Sequence, residues 1–186
     1  HRFVLSIVGL CIKDDDAVPR LGMVTEYANS GTLQSYICAV RAGSSPAAPR
    51  TELLWLSQIA FGLAQIHASA LVHLDIKPDN IFLVAAEHAI EVRIGDFGSA
   101  VDLVAALPQL GMASELASPG YVSASLSYCA PEVFMDLSSL TPAADVFSLA
   151  IVGFELVSKA TGLEYRARRE NIYVMPDWSL IDAVKL

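Results

Sequence analysis

The chain is expected to adopt a mixed α+β fold. Three observations predict it: two β-branched, apolar runs at residues 3–12 and 21–27, apolar residues at roughly helical spacing across 51–70, and a second pair of strand-like runs at 81–84 and 91–94.

Taken in order, the run at 3–12 reads as a strand, and Asp14-Asp15-Asp16 followed by Pro19 signals a turn before the strand at 21–27. Gly31 precedes a short helical stretch at 32–40. The stretch Gly43-Ser44-Ser45-Pro46-Ala47-Ala48-Pro49 holds too many breakers for regular structure. A long amphipathic or buried helix follows at 51–70, with Thr51 as its N-cap and Leu54, Ile59, Leu63 and Ile66 recurring at roughly helical spacing. A polar loop at 73–80 then leads into a hairpin whose turn lies near Glu87-His88. Residues 95–131, rich in Ser, Ala, Gly and Pro, read as a long surface segment. An apolar helix at 145–158 should be buried on most sides, and 165–186 ends in a further helix.

At 186 residues and 54% hydrophobic composition the chain can bury a sizeable core and is expected to form one domain. A mean hydropathy of +0.48 is high for a soluble domain and suits a piece of something larger. Runs such as Leu149-Ala150-Ile151-Val152 fall far short of the ~20 residues that span a bilayer, so no membrane span is expected. No secretory leader is visible in the opening residues. Cys11, Cys38 and Cys129 are odd in number and widely spaced, which suits neither a disulfide framework nor a zinc site. Reduced thiols, and a cytoplasmic or nuclear setting, are the default. The net charge of -8 argues against a broad nucleic-acid-binding surface, and a phosphate-bearing ligand would need local cations or a metal.

The chemistry is concentrated in His73-Leu74-Asp75-Ile76-Lys77-Pro78-Asp79-Asn80, where one loop holds a carboxylate, an amine and an amide. A carboxylate can accept a hydroxyl proton, an amine can neutralise phosphate charge, and an amide oxygen can ligate magnesium. Any one of these residues alone would be an ordinary solvated side chain. Sixteen residues after Asn80, Asp96 opens Asp96-Phe97-Gly98 behind Gly95, a turn in which glycine allows the backbone to aim a carboxylate. Tyr128-Cys129-Ala130-Pro131-Glu132 and Asp145-Val146-Phe147-Ser148-Leu149 complete the set.

These four segments, in this order, resemble the eukaryotic-type protein kinase catalytic domain, of the Ser/Thr-like kind. The first is similar to the catalytic loop at His73, Asp75 and Asn80, and Lys77-Pro78 to its Ser/Thr version. The second is similar to the magnesium-binding Asp-Phe-Gly motif, the third to the Ala-Pro-Glu end of the activation segment, and the fourth to the start of the helix that anchors the catalytic loop. The resemblance implies a protein-kinase-like fold, with 1–28 as the end of the N-lobe and hinge and 29–186 as an incomplete C-lobe.

It further implies a protein kinase that moves the γ-phosphoryl group of ATP to Ser or Thr hydroxyls of a protein substrate. Asp75 and Lys77 would be catalytic, and Asn80 and Asp96 would hold Mg2+. Thr25 would be the gatekeeper, the Glu26 carbonyl and Ala28 amide would bond the adenine edge, Phe82 would lie under its ring and Thr32 near the ribose. Phe97 would plug an apolar gap, Ser125 would lie near the catalytic Asp, and Glu132 and Asp145 would be structural, Asp145 as an acceptor from the backbone. Small-molecule phosphotransferases share the Asp-to-Asn loop, but Lys77-Pro78 and Ala130-Pro131-Glu132 favour a protein substrate.

The pattern departs from the family in three places. Leu74 and Ala150 stand where Arg and Gly are usual, and no late Arg partner for Glu132 can be placed. The missing cation at Leu74 predicts activity of the full-length protein that does not depend strongly on phosphorylation of the 99–125 segment. No glycine-rich loop or strand Lys precedes the first strand, so this stretch alone is expected to bind ATP poorly. The rival reading is a pseudokinase acting as a scaffold, against which the joint presence of Asp75, Lys77, Asn80 and Asp96 argues.

Overall fold

The computed structural model describes residues 1–13, 20–46, 48–105, 127–135 and 140–158. They form a mixed α+β structure of helices and small sheets. The expected turn at 14–19 and helix at 165–186 lie outside the described residues, as does most of the 95–131 segment.

Strands β1 (Ile7–Lys13) and β2 (Arg20–Thr25) pair antiparallel, with Leu10 opposite Met23 and Ile12 opposite Leu21. The first strand starts later than its apolar run because the chain changes partner. Residues 3–5 instead run beside Ile94, with Leu5 N–H donating to the Ile94 carbonyl at 2.8 Å and Ile94 N–H to the Phe3 carbonyl at 2.9 Å.

Helix α1 (Leu33–Arg41) begins one residue later than predicted because Thr32 serves as its N-cap. Ser35 N–H donates to Thr32 Oγ1 at 3.3 Å and Thr32 N–H to Ser35 Oγ at 3.1 Å, a reciprocal pair that satisfies two otherwise orphaned donors.

Helix α2 (Pro49–Ala68) corrects two expectations. It starts at Pro49, whose fixed φ and missing N–H suit a first helical position, so Thr51 lies inside the helix and is not the cap. Its buried face runs through Glu52, Trp55, Ile59, Leu63 and Ile66, whereas Leu54 is exposed. Pro49 thus belongs to the helix and not to the breaker stretch.

Strands β3 (Leu71–Val72), β4 (Ile81–Ala85), β5 (Ile90–Ile94) and β6 (Val101–Asp102) form two further antiparallel pairs, β3 with β6 and β4 with β5. β6 was not foreseen, since two residues give no readable alternation. A single 3₁₀ turn, Pro78–Asn80, joins the polar loop to β4. Helix α3 (Glu132–Met135) is one turn long, and α4 (Ala143–Ser158) is the apolar helix.

Helix α2 covers the β4–β5 hairpin and satisfies its outer backbone. Trp55 Nε1 donates to the Ile90 carbonyl at 2.8 Å, and Val92 N–H donates to Gln58 Oε1 at 3.0 Å. At Gly62 a Cβ would lie 2.8 Å from Ile94 Cδ1 and 3.0 Å from the Phe3 carbonyl, so only glycine permits this approach. The main core gathers residues of α1, α2, the hairpin and α4 around Leu33, Ile59, Ile81, Ile94 and Val152. A second cluster joins Val72 and Leu74 to Cys129, Ala130, Val133 and Ala144. Cys11 and Cys38 are exposed and Cys129 is buried, none of them in a disulfide.

Candidate active site

The β4–β5 hairpin sets the site. Ile81 pairs with Ile94, and just beyond that pair Gly95 N–H donates to the Asn80 carbonyl at 3.0 Å, so the polar loop and the Asp96 turn leave the hairpin side by side. A Cβ on Gly95 would lie 2.7 Å from the Phe82 ring and 3.1 Å from Leu5, which explains glycine there. Asp96 follows with φ +60 and is exposed, and its Oδ1 accepts Gly98 N–H at 3.3 Å.

Asp75, Lys77 and Asn80 meet. Asp75 Oδ2, in a side chain 7% exposed, accepts Lys77 Nζ at 2.7 Å and Asn80 Nδ2 at 2.9 Å, and Asn80 Nδ2 also donates to the Asp75 carbonyl at 2.9 Å. Asn80 thus commits its amide hydrogens to Asp75 and keeps its amide oxygen. That oxygen and the Asp96 carboxylate, on backbones joined through Gly95, are the donor types a hard divalent cation takes.

His73 is fully buried beneath them. Its Nε2 faces the Gly95 carbonyl at 3.0 Å and its Nδ1 accepts Asp75 N–H at 3.3 Å, so one neutral tautomer, protonated at Nε2, satisfies both bonds. Burial is the main reason its pKa lies below the ordinary histidine value, although the nearby carboxylates, Asp145 foremost, pull the other way. The Phe97 ring lies 4.8 Å from the imidazole at 56° and remains partly exposed.

Asp145, 0% exposed, sits in the first turn of α4 and accepts from consecutive backbone amides, His73 N–H on Oδ2 and Leu74 N–H on Oδ1, both at 2.8 Å. This matches the backbone-acceptor geometry expected of it. Two neighbouring amides converge on one carboxylate because Leu74 holds φ +63. Sequence reasoning missed the third partner, His67 Nε2, 2.8 Å from Asp145 Oδ2. The only signal was a polar ring in the last turn of a helix otherwise apolar on that side.

The Tyr128–Glu132 stretch is tied into the helices. The Tyr128 hydroxyl donates to Glu155 Oε2 at 2.6 Å, Arg41 Nη2 donates to Glu155 Oε1 at 3.0 Å, and Ser148 Oγ donates to the Tyr128 carbonyl at 2.8 Å. Glu132 opens α3, and Ser125 lies outside the described residues.

Of the expected nucleotide contacts, Thr32 and Phe82 come together in an isolated bridge, because residues 30–32 follow the edge of β4. The Thr32 hydroxyl already caps α1. Thr25 ends β2 and is exposed, and Ala28 is half-buried. The Glu26 side chain is engaged, accepting Ser6 N–H at 2.8 Å and facing Arg93 Nε at 3.5 Å. Arg93 and Arg2 in turn bind Glu91, and the Arg2 bond is the leading cause holding the Glu91 carboxyl below its usual range. Neither arginine was singled out from the sequence.

The profile of the protein kinase domain matches residues 1–178. A probable LRR receptor-like serine/threonine-protein kinase of Arabidopsis thaliana is 28% identical over 190 residues, 97% of this chain and 16% of that protein. Serine/threonine-protein kinase PrkC of Bacillus subtilis is 30% identical over 85% of this chain and 21% of its own length. Dual specificity testis-specific protein kinase 2 of Homo sapiens is 30% identical over 92% of this chain and 27% of its own length. The chain belongs to the protein kinase domain family. It spans only a minor part, 16–27%, of these relatives.

Proposed function

We propose that the protein transfers the γ-phosphoryl group of ATP to a Ser or Thr hydroxyl of a protein substrate. The observation that carries this reading is the shared Asp75 carboxylate, held at once by Lys77 and Asn80 and backed by a neutral, buried His73.

In this reading residues 1–28 are the end of the N-lobe and the hinge, and 29–186 belong to the C-lobe. The Glu26 carbonyl and Ala28 amide bond the adenine edge, Thr25 borders the pocket behind it, and Phe82 and Thr32 line the base and ribose. Asp75 orients the acceptor hydroxyl and takes its proton while the oxygen bonds to the γ-phosphorus and the bridge to ADP breaks. Lys77 neutralises charge on the moving phosphoryl oxygens. Asn80, through its amide oxygen, and Asp96 would hold Mg2+, which supplies further charge neutralisation on the phosphates. The Lys77-Pro78 pair and relatives named as serine/threonine kinases support the acceptor class.

The test is Mg·ATP-dependent phosphorylation of a Ser/Thr peptide mixture by the full-length protein. The expected result is activity lost in both Asp75→Asn and Asp96→Asn. A folded parent without activity would replace the enzyme reading with a scaffold one.

A further inference from the structure

Helix α1, the first turn of α2 and the last turn of α4 close around a small cavity. Ile37, Val40 and Leu156 give it apolar walls, and Tyr36, Glu52 and the Arg41–Glu155 ion pair give it polar ones. Its volume, about 10 Å³ for the centre of a water-sized sphere, admits one group of that size. Charge decides the kind of group. Glu52 is 2% exposed, and a buried carboxylate is costly unless donors or a cation meet both oxygens. Its Oε1 is met: it accepts the Tyr36 hydroxyl at 2.7 Å and, at the long limit of 3.4 Å, Ala48 N–H. Tyr36 is fixed as that donor, since its oxygen accepts Ala48 N–H at 3.2 Å and burial, followed by the bond to Glu52, raises its pKa. Among the described residues Glu52 Oε2 has no donor and Glu52 pairs with no cation. On the α4 side Glu155 is already satisfied, by Arg41 at 3.0 Å and Tyr128 at 2.6 Å. The wall therefore carries one carboxylate charge more than it carries cations.

We propose that this cavity binds a single ammonium group, which donates to Glu52 Oε2 and leaves the Arg41–Glu155 pair in place. Ligand number disfavours a divalent metal: such ions take about six or more oxygens, and the side-chain oxygens of the wall come from Glu52, Tyr36 and Glu155 alone. A guanidinium is too large for the space. An ammonium group is the size of water and brings several N–H donors to those acceptors, along with the missing positive charge. Nothing in this assignment depends on the phosphoryl-transfer reading.

The experiment follows urea unfolding of the full-length protein in the chlorides of ammonium, methylammonium, potassium and tetramethylammonium, each at about 0.1 M. Ammonium should lower the unfolding constant at least about threefold relative to potassium, and tetramethylammonium, which has no N–H, should not. Glu52→Gln keeps an amide oxygen for Tyr36 but removes the charge, and should abolish the difference. Val40→Leu should do the same, because its added methylene takes the space while Glu52 remains. Isotope-labelled ammonium should give a bound N–H resonance in the parent and in neither variant. Equal unfolding constants in ammonium and potassium overturn the proposal and leave the cavity to water. So does an ammonium effect that survives in either folded variant, since it then arises elsewhere. If one variant fails to fold, the other decides. Methylammonium separates two supporting outcomes: an effect equal to that of ammonium means that the tip of a primary amine, such as a lysine side chain, enters from outside, and a lost effect means that only the free ion does.

Discussion

Protonating His73 would leave the imidazole with two N–H groups and one acceptor, because Nδ1 already faces the Asp75 N–H. With its pKa lowered in the folded chain, chiefly by burial, the unfolded chain binds a proton that the folded chain refuses. Stability should therefore fall as pH drops below about 6.5, the ordinary histidine value. Urea midpoints measured between about pH 5 and 8 should show that slope, and His73→Asn should flatten it. An identical slope in the variant would assign the effect elsewhere. Leu74 is the other residue that governs the loop. Its side chain, 4% exposed, packs with Val72, Cys129 and Ala130, so where the resemblance expects a cation the loop is fastened by apolar contact. Leu74→Ala should lower unfolding free energy by about 2–4 kcal/mol, read by denaturant titration. Asp75, Lys77 and Asn80 were legible in the sequence because six consecutive residues of one loop carry all three. His67 and Arg93 were not, since their partners Asp145 and Glu26 lie 78 and 67 residues away, with nothing local to mark the pairing.

The elements were legible where their periodicity is long, as in α2 and the β4–β5 hairpin, and blurred at their ends. Pro49 looks like a breaker in a list of breakers, yet at a first helical position it starts the helix. Residues 3–5 look like a strand continuous with β1, but they bond Ile94, a choice made by tertiary contact and not by propensity. The far end of α2 carries its own prediction. After the C-cap Ser69, Ala70 adopts φ 57, and its N–H bonds the His67 carbonyl at 2.9 Å. That left-handed position ordinarily takes glycine. Ala70→Gly should therefore stabilise the protein by about 1 kcal/mol, visible as a raised urea midpoint, although a helical glycine would be destabilising.

Among the described residues two buried clusters share the polar loop between them, Ile76 in the main core and Leu74 in the smaller one. The mixed α+β class could be read from the sequence, but this division could not, because it depends on which face of a two-residue strand meets a distant segment. The β1–β2 pair lies apart from both clusters. On one face the paired residues Leu10 and Met23, and Ile12 and Leu21, are each 66–70% exposed, a contiguous apolar surface. An environment-sensitive dye should light up on this stretch of chain, and Leu10→Lys with Met23→Glu should quench the signal without moving the urea midpoint by more than about 0.5 kcal/mol equivalent. The Asp145 cradle has a consequence of another kind. Two amides and an imidazole N–H converge on a carboxylate that arrives from a separate helix, so the receptor and its occupant are covalently remote. Shortening Asp145 to glycine should leave a cradle that small anions can fill: millimolar acetate or formate should rescue the thermal stability of Asp145→Gly while chloride of equal ionic strength does not, making the loop's fold a titratable chemical signal.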